Sequence, residues 1–93
     1  MAQAYTPEYH YRMGCRSQQQ LDFEQALTHF NQALEHGYNE FSVKILRSSV
    51  YLELGMKEEA SRDVERCLVI APPGADYESI IRHAQFVNRK RGI

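Results

Sequence analysis

Hydrophobic positions along this chain recur three and four residues apart, and the clearest run lies at 22–34. There Phe23, Ala26, Leu27, Phe30, Ala33 and Leu34 fall on one stripe of an α-helix. A second stripe is made by Val43, Leu46, Val50 and Leu54, and a third by Ala60, Val64, Cys67 and Leu68. The segment before Gln20 is weaker, with Tyr9 and Met13 placed inward among Arg12, Arg16 and the glutamines at 18–20. Punctuation between the stripes sets their ends. Thr6-Pro7-Glu8 reads as a helix start: a capping hydroxyl, a proline whose missing N–H costs nothing there, and an acid at the positive helix end. Asp22 caps the next helix, with Gln25 placed to close a capping box, and Gly37 ends it. Asn39 or Glu40 opens the third helix, and Gly55 makes the turn into a fourth over 57–70. The run Ala71-Pro72-Pro73-Gly74 then blocks continuation before a fifth helix over about 76–90.

The second and fourth helices are copies. An offset of 34 residues carries Ala26 to Ala60, Phe30 to Val64, Ala33 to Cys67 and Leu34 to Leu68, small onto small and large onto large. A period of 34 with alanine followed four residues later by a large apolar residue resembles the second helix of the tetratricopeptide repeat. The first-helix pattern of that family falls on His10, Met13, Gly14 and Ser17, then on Lys44, Arg47, Ser48 and Tyr51, and only the small residue is kept well. Its helix-ending proline is Pro72 in the second unit, whereas the first has Tyr38 there and stops at Gly37. Ile81 continues the series begun by Met13 and Arg47, so the fifth helix is in register with the first helix of a third unit. The resemblance implies an all-α fold, a right-handed superhelical stack of antiparallel helix pairs with about five helices. On this reading residues 1–6 are expected to be a flexible tail, and 7–93 a single domain with the first repeat at 7–40, the second at 41–74 and a capping helix at 75–93.

Composition narrows the setting. Ninety-three residues suit one domain, which at this length buries only about 60–65% of its unfolded surface. A net charge of −1 gives the whole chain no pull towards nucleic acid or anionic lipid. Cys15 and Cys67 form no CxxC pairing, which favours a reducing compartment. No signal-like segment opens the chain, and no apolar run approaches the roughly 20 residues of a membrane span. A cytoplasmic location is the expectation.

Candidate chemistry is sparse. None of His10, His29, His36 and His83 forms the paired spacing with a carboxylate that a helix-borne zinc site uses. His29 and His36 share a face two turns apart, about 10 Å of rise, too far to hold one ion. The four are expected to be surface histidines, Cys67 a packing residue, and Cys15 a neutral thiol. With no phosphate loop and no nucleophile motif, the chain is expected to be neither an enzyme nor a cofactor or metal carrier.

In tetratricopeptide proteins the first helices line an inner groove that takes a peptide or helix from a partner protein. Through the 34-residue register, that groove falls here on Tyr11, Cys15 and Gln18, then Ser42, Ile45, Ser49 and Leu52, then Ser79, His83 and Phe86. Ile45, Leu52 and Phe86 lie off the inward stripes, an apolar strip suited to an amphipathic helix or apolar peptide. The same residues would also serve as a homodimer seam in a self-associating assembly factor. The positions at which co-chaperone members grip a terminal carboxylate hold Tyr11, Cys15, Leu46, Asp76 and Ile80, so that clamp is absent. A reading of another class rests on Arg82, Arg89, Lys90 and Arg91, a basic end able to touch nucleic acid or an anionic surface. Such cations also compensate a helix dipole, and Phe86 is the one ring among them, so nucleic acid is the weaker expectation. The 35-residue nucleotide-reading repeats do not fit an offset of 34.

Overall fold

The computed structural model describes residues 6–90, apart from the side chains of Asn88 and Lys90. Five helices follow one another: α1 (Pro7–Gln19), α2 (Phe23–Glu35), α3 (Glu40–Glu53), α4 (Lys57–Ile70) and α5 (Tyr77–Lys90). Among the described residues there is no strand.

Local chemistry accounts for the helix starts. Thr6 Oγ1 accepts the Tyr9 N–H at 3.0 Å, Asp22 Oδ1 that of Gln25 at 3.3 Å, Asn39 Oδ1 that of Ser42 at 2.8 Å and Asp76 Oδ1 that of Ser79 at 3.2 Å. The expected capping box at Asp22 does not close, because the Gln25 side chain lies 3.3 Å from His29 Nε2 instead. Helix ends are equally specific. The N–H of Leu21 returns to the Gln18 carbonyl and that of Asp22 to Ser17; 34 residues on, Gly55 returns to Leu52 and Met56 to Tyr51. These are two copies of one Schellman turn, with φ of 63° at Leu21 and 78° at Gly55. The end of α2 repeats the motif through Gly37 and Tyr38. The end of α4 departs from it, since Pro72 has no N–H to donate, and Ala71 turns extended at φ −55°, ψ 132°.

The hairpins α1/α2 and α3/α4 stack in order, α3 lying on α2 and α5 on α4. Ala26, Phe30, Ala33, Val43 and Val50 form the first core cluster, with Leu27, Leu34, Leu46 and Leu54 packed around it. Ala60, Val64 and Val87 form the second, with Tyr51, Leu52 and Ala84 against it. The result is a slab with extents of 51 × 30 × 18 Å.

Two faces differ from the pattern-based expectation. On α1 the buried residues are His10, Gly14 and Ser17, whereas Tyr9 is exposed and Met13 only half-buried. The cause is Phe30, whose ring fills the space where a Cβ on Gly14 would stand, 2.6 Å away; the close approach is made at Gly14, and α1 turns its neighbours accordingly. On α5 the buried residues are Ile80 and Val87, while Ile81 and Tyr77 are 45% and 49% exposed. The fifth helix is thus less polar on its open side than a purely solvating cap.

Candidate functional site

The register that makes α3 the best-buried first helix also leaves Ser49 and Leu52 off its main stripe. Leu52 packs sideways onto the Ala60, Val64 and Val87 cluster. The Gly55 turn starts α4 immediately afterwards, which brings Lys57 beside Glu53. Docking of α5 through Ile80, Ala84 and Val87 then sets Phe86 at the edge, 41% exposed. Ser49, Leu52, Glu53, Lys57 and Phe86 together line a depression of about 380 Å³. Its lining offers an aliphatic and an aromatic surface together with one charge of each sign. Such a lining suits an apolar side chain presented by a polar segment.

The other groove positions lie elsewhere. Tyr11 is stacked on Tyr38 with ring centroids 4.5 Å apart, and it and Cys15 pack against the first core. Burial raises the pKa of both, although a hydrogen bond with Tyr11 partly offsets it at the Cys15 thiol. Gln18, Ser42 and Ile45 are half-buried, the Ile45 carbonyl accepting the Ser48 hydroxyl at 2.7 Å. Ser79 belongs to the start of α5, its hydroxyl bonded to Asp76 Oδ2 at 2.7 Å. Half-buried His83 places Nε2 2.7 Å from Ser48 Oγ, and burial lowers its pKa. Ser48 itself is fully buried and already donates to Ile45, so this serine–histidine pair joins α3 to α5 without presenting a nucleophile. Of the clamp positions, Leu46 packs on the first core, Asp76 caps α5, and Ile80 is buried. At the basic end Arg82 lies 4.0 Å from Glu78 and 3.4 Å from Ser79 Oγ, and Arg89 is exposed. Arg91 and the side chain of Lys90 lie outside the described residues.

Three polar constellations escaped the sequence pattern. Arg47 Nε and Nη2 reach the two carboxylate oxygens of buried Asp63 at 2.7 and 2.8 Å, and Nη1 donates to Asn31 at 2.9 Å, so one guanidinium ties α2, α3 and α4 together. Glu40 accepts from Arg66 at 2.9 Å and from Lys44 at 2.7 Å, and these two bonds, Arg66's above all, hold its carboxyl down at about 2. The histidines are not uniformly on the surface: His10 is buried, stacked on His36 at 5.6 Å and 5.9 Å from His29. The available clue was that His10 and Arg47 both occupy inward positions of the repeat. Cys67 is buried, and its thiol is pushed up to about 11, as befits packing. No group of three histidine, cysteine, aspartate or glutamate side chains among the described residues converges on a metal position, and no described helix is long and apolar enough to cross a membrane. No family model, curated protein or solved structure matches the chain.

Proposed function

We propose that this chain is a non-catalytic adaptor of tetratricopeptide type, and that it holds a peptide or amphipathic helix of another protein against α3 and α5. The observation that carries the reading is the depression bounded by Leu52 and Phe86, where an exposed ring stands beside a fully buried neighbour, Val87. A large apolar side chain left open at the junction of three helices gains most when a partner's apolar side chain removes it from water. The opposite charges of Glu53 and Lys57 along the depression would orient the polar flank of that segment. Two free thiols, Cys15 and Cys67, accord with work in a reducing, cytoplasmic setting.

Ile45→Asp combined with Phe86→Asp tests the reading. Partner capture is expected to disappear while the far-ultraviolet circular dichroism of the helices is unchanged. Loss of helicity would instead place both residues in the core, and unchanged capture would remove the groove from the function.

A further inference from the structure

The seam between α1 and α2 carries a feature that groove binding does not use. His10, on α1, is 6% exposed. Its ring lies nearly parallel to that of His36, the residue that caps the end of α2, at an interplanar angle of 13°, and within 5.9 Å of His29 on α2. Tyr9 stands edge-on to His10 at 5.3 Å and to His29 at 6.5 Å. Neutral imidazoles pack in such an array as flat aromatic rings, whereas a proton on His10 together with one on half-buried His29 or exposed His36 sets like charges 5.9 or 5.6 Å apart, with the His10 end of each pair shut off from water.

Several other charges near the seam are engaged elsewhere, while Arg16 on α1 and Glu24 and Glu35 on α2 stand exposed to solvent. On α1, Glu8 pairs with Arg12 in solvent at 3.0 Å. From α2, the ionisable groups acting on His10 are His29 and His36 themselves. On α3, the other helix that touches α1, Glu40 is bound to Lys44 and Arg66, and Arg47 to Asp63.

We propose that His10, His29 and His36 form a proton-operated release, which undocks α1 from α2 in mildly acidic solution while the stack from α3 to α5 stays folded. Burial first, and the two imidazoles second, lower the pKa of His10 below 6.5. An undocked α1 therefore takes up a proton that the docked one refuses. Docking is at full strength above 6.5 and weakens as the pH falls below it. Release stays local because α1 sits at the end of the slab, with α2 as its main neighbour. It would uncover the Ala26 and Phe30 stripe of α2.

Amide hydrogen exchange of the full chain, followed by nuclear magnetic resonance between about pH 7.5 and about pH 5.5, reads this directly. Protection factors of α1 are expected to fall by up to about tenfold per pH unit for each excess proton, while those in α4 around Val64 hold. In His10→Phe the α1 values should lose this dependence, and His83→Gln, which removes the other depressed histidine, should leave it in place. Should His10→Phe fail to fold, the imidazole titration of wild-type His10 decides, with a midpoint expected below 6.5 and moving up in His36→Gln. The proposal is overturned by α1 protection that stays constant, by α1 and α4 losing protection in parallel, by a His83→Gln chain that no longer responds, or by a His10 midpoint at or above the ordinary value.

Discussion

Single residues explain how two units of one template come to differ. Gly14 and Ser48 are equivalent through the 34-residue offset, and so are Phe30, which meets Gly14, and Val64. In the first unit a glycine faces the large ring, and in the second the equivalent positions hold a serine and a smaller side chain, so the volumes at the two positions offset each other. Gly14→Ser should therefore destabilise the chain by about 1–3 kcal/mol through overpacking. Adding Phe30→Val, the pair the second unit uses, should restore part of that loss. A chemical-denaturation cycle is expected to show a favourable coupling of about 1–3 kcal/mol; simple additivity would mean that the two sites do not meet. Leu21 is the counterpart of Gly55, at φ 63° and 72% exposed, a conformation that leucine adopts at some cost. Leu21→Gly should raise stability by about 0.5–1 kcal/mol, the left-handed strain relieved exceeding the added unfolded-state entropy. A lower thermal midpoint would instead reveal that the exposed leucine packs on something.

Elements were the legible scale. Caps at Thr6, Asp22 and Asn39, glycines at 37 and 55 and the prolines at 72 and 73 are signals confined to a few adjacent residues, and α1 to α4 begin or end at them, whereas the end of α1, at Leu21, carries no such signal. Pairings across elements were not legible, for a physical reason. Arg47 and Asp63 are 16 positions apart, and each alone looks like a polar residue misplaced on an apolar stripe. Only the hairpin brings the bidentate geometry into being. Likewise His10 became buried because Gly14 fixes how α1 rolls onto α2, a packing choice invisible in the weak pattern of α1. Arg47→Ala should cost about 3–5 kcal/mol, since it strands Asp63 in the interior, whereas Arg47→Met with Asp63→Leu should recover most of it. Urea midpoints of the two variants measure this. Equal loss in both would show that the pair itself, rather than the stranded charge, dominates.

At the scale of the whole molecule, two hairpins and a fifth helix make a thin slab in which each layer leans on the one before it. The 34-residue register marked ten positions along one inner face, but the slab does not treat them alike. Tyr11 and Cys15 are drawn into packing, Ser79 serves the start of α5, and His83 bonds to Ser48. Ser49, Leu52 and Phe86 open into one depression. Register identifies a face, while exposure along it depends on which neighbouring rings are large enough to close it, as Tyr38 does over Tyr11. The proposed partner binding by this chain therefore depends on the α3/α5 junction. The most direct measurement places a photoreactive phenylalanine analogue at position 86 of the full chain in its native cells. The same probe at Val69, exposed on α4, is the comparison. A discrete adduct with another protein, formed from position 86, absent from position 69 and lost on adding Ile45→Asp, is the predicted result. No adduct from position 86, or an equal one from position 69, would contradict it.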